Sequence, residues 1–512
     1  MKIIFSTTLL FFGFSTLVTS QQDGTLDLTF GTGGKSTTNF GLNDALAHAL
    51  AIQADGKLVV AGETYTNSTV VEDFALARYN ANGTLDATFG ANGQVVTDMQ
   101  QNSDAANAVV IQPDGKIVVA GYAHNGSNYD FAIARYLTNG ALDNTFGTNG
   151  KVLKNFGSTD FGLAMALLPS GKILVAGRAY NGINSDFALV QLNSDGTFDN
   201  SFGTSGAVKG NLFNEQESAN AIAIQPDGKI VAVGDRYANN VSIFAAARFN
   251  SDGSLDNTFG NGGKVSTAIG TESDVAYAVV IQPDGKIVAV GQSNLSPGSR
   301  FALVRYLPNG NLDNSFSGDG MLLTSVSGGA DYAYSAAIQA DGKILAGGSV
   351  SGSNSNSDFA VVRYSPDGNL DAGFGVNGIG LADFNVRTDV AHAMILKQGK
   401  IVVAGYSDDN TQSTFAVARF QGGASVGVED ISHELEIQIF PNPAREFVQI
   451  LLPESASGIV RATSATGELM IKRPISATSE QINVSNWPCG WYFVEYIDAG
   501  RAWKAIKFLV ER

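Results

Sequence analysis

A unit of about 57 residues recurs seven times in this chain, and that regularity restricts the fold more than any other property of the sequence. The turn Asp55-Gly56-Lys57 returns at Asp114-Gly115-Lys116, Ser170-Gly171-Lys172, Asp227-Gly228-Lys229, Asp284-Gly285-Lys286, Asp341-Gly342-Lys343 and Gln398-Gly399-Lys400. Successive lysines lie 59, 56, 57, 57, 57 and 57 residues apart. A unit of that length cannot bury a core alone, so like units must stack, in an open solenoid or a closed ring.

Two further signatures keep a fixed order with the turn. Phe74-Ala75-Leu76-Ala77-Arg78-Tyr79 is echoed from Phe131, Phe187, Phe244, Phe301, Phe359 and Phe415, and Leu85-Asp86-Ala87-Thr88-Phe89-Gly90 from Leu26, Leu142, Phe198, Leu255, Leu312 and Leu370. Pairs such as Asn82-Gly83, Asp252-Gly253 and Asp367-Gly368 separate them, and residues that tolerate positive φ favour tight hairpins. Each repeat therefore reads as a four-stranded antiparallel sheet. In the second, the strands are expected at Ala106 to Gln112, Lys116 to Gly121, Phe131 to Tyr136 and from about Leu142.

The chain ends decide between solenoid and ring. Leu26 to about Thr38 reads as a fourth strand without the three before it, and Asp389 to Phe420 supplies three strands without a fourth. Joined, they complete a seventh blade. The expected fold class is all-β, a seven-bladed β-propeller closed by N- and C-terminal strands, an arrangement that leaves only short protected sheet edges. Both tight turns then share one rim. The other rim carries the segments of variable length and composition, around Glu63 to Glu72, His124 to Tyr129, Tyr237 to Ser242, Ser293 to Ser299 and Ser351 to Ser357. Binding concentrates on variable loops over a rigid scaffold.

A net charge of -16 argues against nucleic acid or an anionic membrane as partner, because both are met by clustered cations. Lys2, an apolar run from Ile3 to Val18 and small residues ending at Ser20 have the layout of a secretory leader over 1–20. No other apolar run approaches the length of a span, so no transmembrane segment is expected in the mature chain. Cys489 is the only cysteine, which excludes an internal disulfide.

The three signatures resemble the delta-60 repeats of bacterial β-propellers, with Leu-Asp-x-x-Phe-Gly, Pro-Asp-Gly-Lys-Ile and Phe-x-x-Arg-Tyr matched in nearly every copy over residues 24 to 421. Ser170 and Gln398 depart from the turn Asp, and Gln191 from the Arg. The resemblance implies the propeller and no activity.

The periodicity stops at the Gly-rich segment Gln421 to Gly427. Beyond it stand Pro441-Asn442-Pro443, Gly490-Trp491-Tyr492-Phe493 and a basic end at Lys504 and Lys507. This tail resembles the type A C-terminal sorting domain of the type IX secretion system, which implies a small Ig-like β-sandwich, the secretion machinery as a partner, and Pro441, Asn442, Pro443, Gly490 and Tyr492 as its sorting motif. The expected domains are a leader at 1–20, the propeller at 21–421, a linker at 422–433 and the sorting domain at 434–512. Secretion or display on the outer cell surface, after export through the periplasm, follows from leader and tail.

One acidic residue precedes the first strand of every repeat: Asp44, Asp104, Asp160, Glu217, Asp274, Asp331 and Asp389. Ringing the channel mouth, these carboxylates would suit a hard cation such as Ca²⁺; otherwise each accepts hydrogen bonds from neighbouring loop N–H groups and fixes a blade junction. A few residues on stand His48, Asn107, Leu163, Asn220, Tyr277, Tyr334 and His392, a column read as packing between unequal blades before any sugar-binding lining. The recurrent Arg and Asp, as in Arg78 and Asp86, are read as a structural pair, because a catalytic site is normally unique.

The four histidines, His48, His124, His392 and His433, show no metal-ligand spacing, and no nucleophile elbow or phosphate loop occurs. No catalytic residue is assigned. The expectation is a monomeric binding module for an extracellular glycan or protein, with no required cofactor. The alternative is a polymer-degrading hydrolase or lyase that uses channel-mouth carboxylates as acid and base.

Overall fold

The computed structural model describes residues 21–511 apart from 42, 66–70, 101, 297, 352–355, 385–387, 424–437, 441–443, 452–457, 465–468, 476–478, 499–500 and 503–505. The expected leader and Pro441-Asn442-Pro443 lie outside the described residues. Two compact units, Met1–Gly427 and Val428–Arg512, make up the chain. Every regular element among the described residues is a β-strand. No helix is long and apolar enough to cross a membrane.

The first unit is a seven-bladed β-propeller. Blade 2 shows the plan: Asp104–Ile111, Ile117–His124, Tyr129–Tyr136 and Lys151–Lys154 follow one another as antiparallel neighbours from the inside outward. The innermost strands Ala45–Ile52, Asp104–Ile111, Asp160–Leu167, Gln216–Ile224, Asp274–Ile281, Asp331–Ile338 and Thr388–Lys397 abut in cyclic order, the seventh against the first. In blade 7 the outer strand is Lys35–Thr38, paired antiparallel with Ser413–Gln421 in the register Lys35 to Ala418 through Thr38 to Phe415. The ring is thus closed by both ends of the repeat region.

Two strand assignments need correction. Leu142, expected to begin a fourth strand, makes one isolated bridge to Tyr136, and the strand itself begins at Lys151. The intervening residues turn because Asp143 accepts the Thr145 N–H at 3.1 Å and hydroxyl at 2.6 Å, while Phe146 N–H bonds the Asp143 carbonyl. Short polar side chains that bond their own downstream backbone stabilise turns over strands. The second strand begins at Ile117 and runs on past Gly121 to His124.

The core lies between blades. Phe89, Phe146, Phe202, Phe259, Phe316, Phe374 and Phe30, the aromatic residues of the turn signature, are fully buried. The strand-three arginine lies over this ring, with Arg78 4.5 Å from Phe89 and Arg248 4.8 Å from Phe259. Its Nε donates to the buried turn Asp, Arg78 to Asp86 at 2.8 Å, and the repeat lysine reaches the same oxygen, Lys57 at 3.0 Å. The other arm of Arg78 donates to the Thr138 carbonyl of the next blade. The Arg–Asp pair thus lies inside one blade, as the sequence reading expected, and the arginine in addition reaches the next blade.

In the second unit, Gln438–Phe440, Phe447–Leu451 and Ser479–Asn483 form one sheet, and Gly458–Ser464, Leu469–Ile475, Gly490–Asp498, Arg501–Ala502 and Ile506–Val510 the other. Val448, Ile450 and Ile482 of the first share a buried core with Val460, Ala462, Val494 and Val510 of the second. Tyr492 is buried against Trp487 at 4.9 Å, and its hydroxyl donates to the Pro488 carbonyl at 2.7 Å. Gly490 opens the strand that carries Tyr492.

Candidate functional site

The channel is lined from the innermost strands, and each of these is irregular at one place. Register shifts fall between Ala47 and Ala49, Ala106 and Ala108, Gly162 and Ala164, Ala219 and Ala221, Ala276 and Ala278, Ala333 and Ser335, and Ala391 and Ala393. The extra residue is His48, Asn107, Leu163, Asn220, Tyr277, Tyr334 or His392, so the column noticed in the sequence is a column of β-bulges. A bulge leaves one residue unpaired and re-aims its side chain. It also brings the paired strand very close: a Cβ on Gly62 would stand 1.9 Å from the Leu46 carbonyl oxygen. Glycine is required there by contact with backbone.

The bulge residues touch one another across blade boundaries. His48 meets His392 edge-on with centroids 5.0 Å apart, His392 stacks on Tyr334 at 4.9 Å, and Tyr334 packs on Tyr277 at 5.1 Å. Asn107 donates to the Gly162 carbonyl at 2.8 Å and Asn220 to the Ala276 carbonyl at 3.0 Å. The column forms a collar that ties neighbouring blades. Burial, then the nearby His48, hold the His392 pKa down at about 3.

A second ring stands toward the variable rim. It consists of the residue after the close-packed glycine of each second strand: Glu63, Tyr122, Arg178, Asp235, Gln292, Ser349 and Tyr406. Tyr122 packs on Phe161 of the next blade at 4.9 Å and on Tyr129 at 5.2 Å, and Arg178 lies 4.8 Å over Phe161. Across the mouth, Tyr406 lies 5.8 Å from His392, and Tyr332 stacks on Tyr334 at 6.1 Å. Two aromatic arcs result, with acidic groups between them. Glu63 sits 3.5 Å from His48, and burial, then the Glu63 charge, raises the Glu72 carboxyl. Burial raises Asp235 despite hydrogen bonds from Ser242 and Asn220. At the ends of second strands Tyr180 and Tyr237 are exposed, as is Ile183 on the loop that follows Tyr180.

This second ring was not singled out in the sequence. The available signal was its variety beside a fixed position: the preceding column is Gly in all seven copies, while this one holds six residue types in seven copies.

The acidic column lies elsewhere than in an open ring at the mouth. Asp104, Asp160, Glu217, Asp274, Asp331 and Asp389 are buried in the blade junctions. Their carboxylates accept loop N–H groups, from Phe156 to Asp160 at 2.7 Å, Ile269 to Asp274 at 2.8 Å, Val326 to Asp331 at 2.7 Å and Phe384 to Asp389 at 2.9 Å. Met99 serves Asp104, and Leu212 and Phe213 serve Glu217, in the same way. Asp44 is exposed and accepts the Ser413 N–H at 2.7 Å. Burial pushes Asp104 and Glu217 up to about 7 and Asp160 and Asp389 to about 6, against the pull of those bonds.

The grooves on the outer surface recur from blade to blade. One of about 990 Å³ lies beside Thr37, Tyr79 and Phe384, and one of about 610 Å³ uses the corresponding Ser266 and Tyr306. Features repeated by the scaffold are weak candidates for a unique ligand.

Comparison with known proteins bears on the architecture. The model of the "Domain of unknown function (DUF5122) beta-propeller" matches residues 53–89, 112–146, 168–202, 225–259, 282–316, 339–374 and 399–422. That of the "Secretion system C-terminal sorting domain" matches 438–511. No curated protein matches the chain. Among solved structures, a catalytically inactive virginiamycin B lyase from Staphylococcus aureus with quinupristin is 11% identical, with 75% of this chain and 98% of that chain covered and a TM-score of 0.45. The β-propeller domain of the Trilobed protease from Pyrococcus furiosus is 11% identical over 76% and 98%, with a TM-score of 0.38. PorZ, a surface component of the type IX secretion system of Porphyromonas gingivalis, is 13% identical over 93% and 75%, with a TM-score of 0.22. At such scores these likenesses carry no argument about activity. The seven matched repeats and the matched tail agree with the strands described above, and on that ground the chain belongs to the DUF5122 β-propeller family and bears a type IX secretion sorting domain.

Proposed function

We propose that this exported propeller is a binding module, and that its ligand enters the variable-rim end of the channel. One observation carries the reading: directly after a glycine that is the same in all seven blades, the ring at the mouth holds six residue types in seven copies. Scaffold positions repeat because each blade solves the same packing problem. A ligand meets seven different places at once, so its contacts need not repeat.

The chemistry of the ring favours a neutral glycan. Tyr122, Phe161, Tyr332 and Tyr406 offer half-buried ring faces beside Asp235, Gln292 and Arg178, and amphipathic rings with a polar neighbour suit a ligand that is apolar on one face and wet on the other. Glu63, Glu72 and Asp235, with the overall charge of -16, disfavour a polyanionic chain. The degradative alternative loses support, because carboxylates of the acidic column such as Asp274 and Asp331 are buried and engaged with loop N–H groups.

The test is retention on an array of neutral and acidic glycans by the full chain and by a Tyr122→Ala/Tyr406→Ala variant with an unchanged melting curve. Loss of about tenfold or more in the variant is expected. Equal retention by both sinks this location, and retention of protein baits alone identifies a protein ligand.

A further inference from the structure

Among the described residues, three carboxylates meet at two of the seven blade junctions. Between blades 1 and 2, one oxygen each of Asp73, Asp98 and Asp104 lies within 4.8 Å of the others, and between blades 6 and 7 the same is true of Asp358, Asp383 and Asp389. The two sets occupy equivalent places: the residue before the strand-three Phe, the residue after the fourth strand, and the acidic residue that starts the next blade.

The buried member of each set points to something more than a surface cluster. Asp104 and Asp389 have no exposed area; the Oδ2 of Asp104 accepts the Met99 and Gln100 N–H groups and that of Asp389 the Phe384 N–H, and the Ser407 side chain also hydrogen-bonds the Asp389 carboxyl. The Oδ1 atoms of both are buried and have no hydrogen-bond partner. A buried carboxylate oxygen without a donor is costly unless a proton or cation meets it. Asp98 and Asp383 are exposed, so each cluster opens to solvent. Lys151 and Lys35, which border the two clusters, direct their ammonium groups at the main-chain carbonyls of Asp98 and Asp383, at 2.6 and 2.5 Å.

The Oδ1 atoms of Asp160 and Asp274 are likewise buried and without a hydrogen-bond partner, but no trio of carboxylates meets there among the described residues, so the other junctions differ in the number of acids. Between blades 2 and 3 the exposed member is Asn155, and Asp130 is held by the Asn125 amide at 2.9 Å. Between blades 3 and 4 Asn211 takes that place, and Asp186 is held by Asn181 at 2.9 Å. Between blades 5 and 6 the strand-three member is Arg300. All three acids occur together only where the described residues also bring three carboxylates together.

We propose that Asp73, Asp98 and Asp104, and separately Asp358, Asp383 and Asp389, bind one divalent hard cation each, with Ca²⁺ the preferred ion. Oxygen-only donors select a hard cation. Ca²⁺ accepts about six to eight oxygen ligands in a flexible geometry, whereas Mg²⁺ demands a near-ideal octahedron and gives up its waters reluctantly, so an irregular carboxylate trio suits Ca²⁺ better. A cation there joins the outer end of one blade to the inner start of the next. Water and main-chain oxygen complete the shell.

The experiment is calorimetric titration of the chelator-treated full chain with CaCl₂ and, separately, MgCl₂, beside Asp98→Asn, Asp383→Asn and the double variant. Both substitutions lie at exposed positions, and a melting curve of each variant without metal verifies the fold. Two Ca²⁺ per chain are expected, one in each single variant and none in the double variant, with a Ca²⁺-dependent rise in Tm that the double variant lacks. No heat at millimolar Ca²⁺, or two sites that persist in the double variant, overturns the proposal. A melting point indifferent to Ca²⁺ but raised by mild acid does so as well, because a shared proton then fills the place of the cation.

Discussion

His392 stacks on Tyr334 across the boundary between the last two blades, with ring centroids 4.9 Å apart and planes 12° from parallel. The imidazole is pressed from the other side by His48, edge-on at 5.0 Å. A charged imidazolium would be desolvated there and would face a second histidine. With its pKa held down at about 3, against 6.5 ordinarily, His392 stays neutral through the whole physiological range. Following the ring protons by NMR from pH 8 to pH 4 is expected to show no titration of His392. A midpoint above 5 contradicts the packing described. His392→Ala removes the ring between two blades and is expected to cost about 2–4 kcal/mol in urea unfolding.

Blade 3 differs from its neighbours at the Arg–Asp–Lys cluster. Gln191 replaces the arginine, and its amide donates to Asp199 at 2.6 Å, while Lys172 approaches the same oxygen at 2.7 Å. In blade 4 Asp256 is met by both Arg248 at 2.7 Å and Lys229 at 2.9 Å. Burial raises the Asp199 carboxyl, but Lys172, Ser201 and Gln191 together hold it well below the usual range. Removing Lys172 therefore strips that cluster of its cation, whereas removing Lys229 leaves Arg248. Lys172→Met is expected to cost about 2–3 kcal/mol and Lys229→Met about 1 kcal/mol, because an uncompensated buried charge is costly. Urea denaturation of the two variants checks the order. A larger loss in Lys229→Met reverses it.

Opposite shifts in two sets of carboxylates predict an uncommon stability profile. Asp104, Glu217, Asp160 and Asp389 have folded pKa values raised to about 6 to 7, so between about pH 4 and 7 the folded chain binds more protons than the unfolded one and stability rises as pH falls. Asp86, Asp143, Asp199, Asp256 and Asp313 are depressed in the folded state: burial alone would raise them, but their hydroxyl, lysine and arginine partners outweigh it. Their contribution is present above the unfolded value near 4 and is lost as pH drops below it. In chelator-containing buffer the urea midpoint is expected to peak near pH 4–5, with a gain of a few kcal/mol over pH 7. A midpoint that falls steadily from pH 7 to pH 4 excludes the raised set.

The sequence showed the ring and concealed its lining, for reasons that lie in particular residues. The repeat lysines, the turn glycines and the strand-three aromatics report backbone needs that each blade shares, so they recur and can be aligned. The fourth strands, such as Gln94–Thr97, Lys151–Lys154 and Ala207–Gly210, are four residues long and share little beyond their place. The stronger Leu-Asp-x-x-Phe-Gly signature drew the strand assignment away from them. The channel lining was harder still. Alternation assigns faces by a period of two, and the bulges at His48 and its equivalents break that period in the very strands that line the channel. Contacts such as Tyr122 on Phe161 join residues from different blades, which no local pattern records.

The closing strand offers the last prediction. Lys35–Thr38 covers the edge of Ser413–Gln421, and the segment before it ties in as well: Asp27 N–H bonds the Arg419 carbonyl at 2.7 Å, Gly24 N–H bonds the Gln421 carbonyl, and Arg419 Nε donates to Asp27 at 2.9 Å. Phe30 from the same segment is fully buried and lies under the Arg419 guanidinium at 4.7 Å. A chain that lacks residues 21–38 loses an aromatic core residue, an ion-pair cluster and the strand that shields a sheet edge, and exposed edges pair with other chains. It is expected to melt at least 10 °C lower and to elute from a sizing column as dimers or larger species, since the orphaned edge of one copy can accept a strand from another. Adding back a peptide of residues 21–40 in excess should restore the monomer and most of the melting temperature. A truncated chain that remains monomeric with an unchanged Tm would show that the other six blades hold the ring without their clasp, and the closure inferred from the split repeat would then be ornamental to stability.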